Sequence, residues 1–310
     1  MVAIISVFRE AWRANGRTKR RLLAEREKKL KQFLASDDLH SFPKVTVPRA
    51  TLIIPVYNQA CHTLECLMSL LDAGGEWLEV MVWDDGSSDE TTAVLARFKN
   101  LRVCNSPANQ GFLRSCNAAV KEARGEMVLL MNNDARLIEG SISGALDDFK
   151  REKNCGLMGA RISLASGGLQ EAGAMIFADG GTYGYLRHRP VDDPRALIKR
   201  DVDYCSGVFL IFERDTFLNM DGFDEIYAPA YYEETDFALR VWQNAMRCVY
   251  NPKILIEHFE FGSRPNAHKR AQISRNRKIF LERWRGVLTA AGHLPGFRLF
   301  NEKKAALRRG

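Results

Sequence analysis

Three acidic segments of this chain have the composition of a catalytic site. An apolar run from Met127 ends in Asn-Asn-Asp at residues 132–134, and a similar run ends in Asp-Asp-Gly-Ser at residues 84–87. A further acidic cluster, Glu-Glu-Thr-Asp, occupies residues 233–236. Carboxylates that follow buried strands are typical of α/β proteins, which bind metals and phosphates at that edge of the sheet. The pattern therefore predicts an enzyme.

Asp134 and His258 are the candidate metal ligands. A divalent cation such as Mg²⁺ or Mn²⁺ takes carboxylate oxygen, keeps waters and completes its shell with substrate phosphate, and a histidine nitrogen suits Mn²⁺ better. Each residue also has a structural interpretation, since Asp134 could cap a helix and His258 could be a core histidine. The carboxylates of Asp84 and Asp85 suit a base N–H and ribose hydroxyls. They would repel phosphate, and neither a GxxxxGK[ST] nor a GxGxxG sequence is present.

The elements that would position these residues alternate along the chain. Apolar periodicity predicts strands over residues 51–57, 78–83, 101–104 and 126–131, and helices over 63–71, 89–98 and 111–123. Such units imply a mostly parallel sheet with right-handed crossovers, whose carboxyl ends would bring the polar residues to one rim. After about residue 150, frequent glycines indicate turns and hairpins that would shape an acceptor pocket. A strand over 248–256, interrupted at Pro252, ends this half.

Charge divides the chain into three parts. The 310 residues carry a net charge of +7, but residues 1–34 and 268–310 are strongly basic and the part between them is acidic. We predict a basic helical extension and linker at 1–43, a catalytic domain at 44–285 and a basic tail at 286–310. Basic ends around an acidic body argue against a nucleic-acid binder. Leucines at helical spacing among the basic residues of 17–34 predict an amphipathic helix, which would pack on the body, on a second subunit, or on an anionic membrane surface.

Other features indicate a cytoplasmic protein, with peripheral attachment to the membrane face as an option. The seven cysteines contain no CxxC pair, which favours reduced thiols. The apolar opening of eight residues is far shorter than the roughly 20 needed to span a membrane. We therefore predict neither a signal peptide nor a transmembrane anchor.

Taken in order, the motifs resemble those of a known family. They are TLIIPVYN at 51–58, DDGSSD at 84–89, NQGF at 109–112, LMNND at 130–134, GFDE at 222–225, EETDFALR at 233–240, and His258. This series is similar to family-2 glycosyltransferases of GT-A fold, and most of all to their bacterial rhamnosyltransferase-like branch. The resemblance covers about residues 50–285 and leaves both basic ends outside it.

The resemblance implies roles for individual residues. Asp134 and His258 would bind Mn²⁺ or Mg²⁺, and Glu234 would be the general base, with Asp236 or Glu233 as alternatives because the family usually has Asp at this position. The donor nucleotide would contact Pro55, Tyr57, Asn58, Asp84, Asp85, Asn109, Gly111 and Asn133.

The resemblance also implies a reaction. A UDP-, dTDP- or GDP-linked sugar would be transferred, with inversion in a single displacement, to a hydroxyl of a glycan or a lipid-linked saccharide. A homo-oligomer is compatible with the sequence. The alternatives are a sugar nucleotidyltransferase, a retaining transferase, and an inactive protein that binds nucleotide sugars or glycans.

Overall fold

A computed structural model describes residues 2–140, 142–260 and 267–289 of the chain, with side chains from residue 18 onwards. The helices in these ranges are α1 (Val2–Ala35), α2 (Ala60–Leu70), α3 (Thr91–Leu95), α4 (Phe112–Glu122), α5 (Ile142–Arg151), α6 (Arg214–Asn219), α7 (Glu233–Gln243) and α8 (Ala267–Thr289). The strands are β1 (His40–Ser41), β2 (Ala50–Val56), β3 (Leu78–Asp84), β4 (Phe98–Lys99), β5 (Arg102–Asn105), β6 (Met127–Met131), β7 (Ala135–Glu139), β8 (Cys155–Leu164), β9 (Leu169–Glu171), β10 (Ala174–Ile176), β11 (Thr182–Gly184), β12 (Arg200–Asp201), β13 (Phe209–Glu213) and β14 (Arg247–His258).

One ten-stranded sheet organises the molecule. Its order is β12-β14-β8-β13-β6-β2-β3-β5, with β7 paired to β14 and β9 paired to β8. The four strands β6, β2, β3 and β5 are mutually parallel, as the sequence predicts. Beyond β6 the sheet is mixed, because β13 runs antiparallel to both β6 and β8. The parallel half delivers its carboxyl ends to one edge, and the mixed half adds β9 and β14 beside it.

The hydrophobic core lies on both faces of this sheet. Within β2, Ile53 packs in the cluster on one face, whereas Leu52 and Ile54 pack in the cluster on the other. All seven residues of this strand are buried. Alternating side chains of a strand point to opposite faces, so a strand covered on both sides is apolar throughout. This explains why the apolar runs of the sequence locate the central strands correctly.

The region after β3 differs from the prediction. The helix predicted over 89–98 is confined to α3, and Phe98 instead begins β4, which pairs in parallel with β1. Phe98 stacks on Phe33 and Phe42 at ring-centroid distances of 6.0 and 5.9 Å. Burial in this aromatic cluster outweighs the local helical pattern. Likewise, β14 continues through Pro252 with a shift of register, where the sequence predicts an interruption.

The basic N-terminal helix is docked on the body through its apolar side. Leu30 is buried, and Leu23, Phe33 and Leu34 pack against the same core cluster. The Arg26 guanidinium is buried against Glu65 and Glu257 and lies 4.6 Å from the ring centroid of Phe259. Three packing surfaces are predicted for this helix, and its described residues pack on the body of the protein. The boundaries at residues 43 and 285 stay predictions, although β1 falls in the predicted linker and α8 runs across the second boundary.

In the described ranges, no helix has the length and apolar character needed to cross a membrane. Residues 290–310, which make up most of the predicted basic tail, lie outside the described part of the chain.

Candidate active site

The ends of β2 and β3 are joined by hydrogen bonds into one polar edge. Asn58 has a φ of +56°, and its side-chain oxygen accepts hydrogen bonds from the backbone N–H of Ser88 at 2.8 Å and of Asp89 at 3.3 Å. The backbone N–H of Asn58 in turn donates to the Ser87 hydroxyl at 2.7 Å. Next to this turn, the Tyr57 side chain is 49% exposed, which leaves an aromatic surface open to a planar ligand. The sequence prediction that these strand ends meet is therefore confirmed.

Asp84 and Asp85 are both buried, and the carboxylate of each accepts hydrogen bonds from the backbone of a loop. Asp84 accepts a hydrogen bond from the Ser87 backbone N–H at 2.9 Å. Asp85 accepts from the backbone N–H of Gln110 at 3.0 Å and of Gly111 at 2.9 Å. These bonds bring the Asn109–Gly111 loop over the end of β3. The carboxylate of Asp85 therefore shapes the predicted nucleotide loop.

Two further predicted donor residues are fixed by contacts of their own. At Gly111, where φ is +92°, an added Cβ would lie 2.5 Å from Cβ of Pro229, so only glycine fits between the loop and this proline. Asn133 donates from its side-chain nitrogen to the Thr63 hydroxyl at 3.1 Å and to the Asn58 carbonyl at 3.4 Å. Pro55 lies inside β2, opposite Trp83 of β3. These three residues lie beside the polar edge formed by the ends of β2 and β3.

The two predicted metal ligands meet at this edge. Asp134 follows β6, and His258 is the last residue of β14. Nε2 of His258 lies 3.0 Å from Oδ1 of Asp134, and Nδ1 of His258 lies 2.7 Å from the Gln170 side-chain oxygen. Burial would raise the pKa of Asp134, but His258 and His62 outweigh it, so the pKa of Asp134 lies below its usual range. Both ring nitrogens of His258 face oxygens, which fixes the ring plane.

This pair fits a divalent cation that completes its shell with substrate oxygens. Among the residues that the structure describes, no group of three or more His, Cys, Asp or Glu side chains could hold a metal alone. Asp134 and His258 would supply one oxygen and one nitrogen to such an ion. Mg²⁺ and Mn²⁺ sites with few protein ligands are common where phosphate binds.

Glu233 and Glu234 form a second acidic centre at the start of α7. Each has one carboxylate oxygen, Oε2, that is buried without a hydrogen-bond partner in the described residues. Burial raises the pKa of Glu234, whose carboxylate accepts hydrogen bonds from the backbone N–H groups of Thr235 and Gly207. Burial, reinforced by repulsion from Glu234, raises the pKa of Glu233 well above its usual range. Burial of both side chains, and repulsion between them, disfavours a negative charge on both carboxyl groups at once.

Asp236 has different surroundings, which argue against its predicted alternative role in catalysis. Its carboxylate is completely buried and accepts hydrogen bonds from Tyr227 at 3.0 Å, Trp284 at 2.8 Å and Arg240 at 2.8 Å. A carboxylate that holds three donors in the core has no free position for a substrate proton. Asp236 links α7 to α8 instead.

Glu171 and Gln170 are site residues that sequence analysis missed. Glu171 accepts a hydrogen bond from the Ser206 backbone N–H at 3.0 Å, and the next amide, that of Gly207, donates to Glu234. Burial raises the pKa of Glu171 to about 7. Both residues belong to the short strand β9, and Gln170 contacts a histidine 88 positions away. No local pattern signals such a contact.

Sequence comparisons relate this chain to known proteins. A sequence model of the family described as glycosyl transferase family 2 matches residues 51–218. An N-acetylglucosaminyl-diphospho-decaprenol L-rhamnosyltransferase of Mycobacterium tuberculosis is 27% identical, over 79% of this chain and 93% of that protein. An uncharacterized protein of Sinorhizobium fredii is 24% identical over 79% of this chain, but this chain spans only 28% of its length.

The fold has a close counterpart among solved structures. The structure of GalNAc-T7 with UDP, GalNAc and Mn²⁺ superposes with a TM-score of 0.60 at 10% identity. It covers 78% of this chain, which in turn spans 50% of that protein. At this identity the likeness concerns the fold alone, and it agrees with the mostly parallel sheet merged with a mixed half. The family model matches more than half of the chain and establishes that this chain belongs to glycosyl transferase family 2.

Proposed function

We propose that this glycosyltransferase moves a sugar from a nucleoside-diphosphate donor to an acceptor hydroxyl by a single displacement with inversion. The proposal depends most on one observation. The site contains two pairs of ionisable side chains that differ in chemistry, Asp134 with His258 and Glu233 with Glu234. The first is suited to a cation, whereas the second has buried carboxylate oxygens without partners. One centre would serve the leaving group and the other the nucleophile.

On the donor side, Asp134 and His258 would hold a divalent cation, which when bound offsets the negative charge of the departing nucleoside diphosphate. The exposed ring of Tyr57 would pack on the base, and the Asn109–Gly111 loop held by Asp85 would close over the nucleoside. Gln170 orients His258 through its hydrogen bond to Nδ1. Hydrogen-bond partners of this kind fix the tautomer and the ring orientation of metal-binding histidines.

On the acceptor side, Glu234 would take the proton of the attacking hydroxyl. Its raised pKa is favourable for a general base, because proton transfer is most efficient when the pKa of the base approaches the working pH. Burial and the neighbouring Glu234 raise the pKa of Glu233, which favours a neutral Glu233 beside the ionised base. Transfer from the face opposite the leaving group requires no covalent intermediate, so one base is sufficient.

The donor part of the proposal is tested by nucleotide binding. UDP, dTDP and GDP are each added with Mn²⁺, with Mg²⁺ or with chelator, and thermal unfolding is followed. We expect one nucleotide to raise the Tm only with metal, and the Asp134→Asn variant to lose this rise. Asp147→Asn is the control, since Asp147 is 40% exposed and its carboxylate pairs with Arg49, just before the amino end of β2.

Two outcomes of this experiment contradict the donor part. One is that none of the nucleotides changes the Tm with either metal. The other is that Asp134→Asn responds to nucleotide and metal as the unaltered protein does. A ligand at about a hundred times its Kd should add about 2.7 kcal/mol of stability, so a real effect is measurable.

The acceptor in this proposal is a glycan or lipid-linked saccharide at the cytoplasmic membrane face. The name of the mycobacterial relative includes such an acceptor. The exposed residues of α1 between positions 20 and 31 include five Lys or Arg and two Glu, which suits an anionic surface. Sedimentation with anionic vesicles should carry the protein down, and Arg20→Glu with Lys28→Glu and Lys31→Glu should leave it in solution. Equal sedimentation with neutral vesicles, or none with either kind, would contradict the membrane assignment.

A further inference from the structure

Helix α8 forms hydrogen bonds with the loop that precedes Glu233 and Glu234 of α7. Asn276 of α8 is completely buried, at 0% exposure. Its side-chain nitrogen lies 2.7 Å from the carbonyl oxygen of Tyr227, 3.0 Å from that of Ala230 and 2.8 Å from that of Tyr231. One amide, with two N–H donors, therefore contacts three carbonyls of a single loop. Helix α8 starts after the residues matched by the family model, which end at 218.

The loop that Asn276 holds has an unfavourable backbone conformation. Tyr231 and Tyr232 have φ values of +76° and +75°, in the left-handed region that residues with a side chain rarely adopt. Such a conformation is unfavourable for residues with a side chain and persists only where the surrounding structure enforces it. These two residues stand directly before Glu233 and Glu234. Their backbone therefore sets where α7 begins and where both carboxylates point.

Two contacts of Tyr232 agree with this interpretation. The Tyr232 hydroxyl donates to the Gly180 carbonyl at 2.8 Å, and its ring packs on Phe280 of α8 at a centroid distance of 5.2 Å. The side-chain nitrogen of Gln272 donates to the Ala230 carbonyl at 2.8 Å. The side-chain nitrogen of Asn276 donates to the carbonyl of Tyr231, within the strained pair.

We propose that Asn276 is a positioning residue for catalysis, which holds the Tyr231–Tyr232 backbone so that Glu234 faces the acceptor hydroxyl. This inference rests on the proposed function, because it assigns the base role to Glu234. Asn276 itself touches neither donor nor acceptor. Loss of its amide would let the loop relax toward ordinary φ values, and a shift of the base by about 1 Å is enough to cost on the order of 10²-fold in rate.

The test compares Asn276→Ala with Gln272→Ala. Gln272 is a matched control, since it donates to the same loop one residue before the strained pair. Steady-state release of nucleoside diphosphate is measured over a range of donor concentrations at saturating acceptor. We expect Asn276→Ala to lower kcat by at least about tenfold with the donor KM unchanged, and Gln272→Ala to change kcat by less than about twofold.

A double-mutant cycle separates positioning from a general structural role. If Asn276 acts through Glu234, then Asn276→Ala should change the residual rate of Glu234→Gln by less than about twofold. An equal loss of kcat in both backgrounds would overturn the inference, as would a rise in donor KM at unchanged kcat. Should Asn276→Ala fail to fold, Asn276→Ser keeps one donor at this place and undergoes the same cycle. Failure of the proposed function is seen separately, as undiminished turnover in Glu234→Gln alone.

Discussion

Replacing Glu171 by glutamine should make the protein more stable at high pH. Burial raises the pKa of this carboxyl to about 7 in the folded protein, against 4.5 in an unfolded chain. Between these two values the folded state binds more protons than the unfolded state, so stability falls as the pH rises. Glutamine cannot ionise, and its side-chain oxygen can still accept the hydrogen bond from Ser206.

The size of the effect follows from the shift. A change of about 2.5 pKa units at about 1.36 kcal/mol per unit gives a penalty of about 3 kcal/mol, complete above pH 7. At pH 5 the same relation leaves less than about 1 kcal/mol. With an unfolding entropy of about 2.1 cal/mol/K per residue, 3 kcal/mol corresponds to a Tm increase of roughly 5 °C at pH 8.

Urea denaturation of Glu171→Gln and of the unaltered protein at pH 5 and pH 8 measures this difference. Glu76→Gln is the control, because Glu76 lies on the surface and its replacement should change stability by less than about 0.5 kcal/mol at either pH. A difference between Glu171→Gln and the unaltered protein that is the same at both pH values would refute the reasoning. So would a loss of stability at pH 8.

Two further predictions concern buried charges away from the reacting groups. Asp236→Asn should lower the free energy of unfolding by about 3 kcal/mol, because Arg240 loses its buried ionic partner. Glu234→Gln should not lower the urea midpoint, because burial raises the pKa of Glu234 and glutamine removes the buried charge. Equal midpoints for the two variants would contradict the structural role of Asp236. Arg26→Ala should cost at least about 2 kcal/mol, because the guanidinium holds α1 against Glu65 and Glu257. An unchanged unfolding midpoint in that variant would mean that α1 is not docked on the body.

The central sheet and one edge of the site were predictable because their signals are local. The apolar runs before Asp85 and Asp134 had to be strands covered on both faces, and the carboxyl ends of parallel strands lie on one side of a sheet. That geometry is enough to bring Asn58, Asp85 and Asp134 together without knowledge of any distant contact. The position of these residues on the rim therefore follows from strand identity alone.

The remaining site residues depend on contacts between distant parts of the chain. Gln170 reaches His258, and Asn276 holds carbonyls about 45 residues before it in the sequence. A polar residue within a glycine-rich segment, or within a basic helix, has no periodicity that distinguishes such a role from a solvated position. The distinction between Glu234 and Asp236 had the same origin, because the burial of Asp236 depends on Trp284 of α8.

The most direct test of the proposed mechanism is turnover by Glu234→Gln with nucleotide binding measured in the same samples. UDP-, dTDP- and GDP-sugars are supplied with Mn²⁺ and an N-acetylglucosaminyl-diphosphate lipid as acceptor, and the released nucleoside diphosphate is quantified. We predict that turnover falls by at least about 10²-fold. The Kd for the nucleoside diphosphate should stay within about threefold of that of the unaltered protein. Turnover at the unaltered rate, or a loss explained by weaker nucleotide binding, would contradict the assignment of Glu234 as the base.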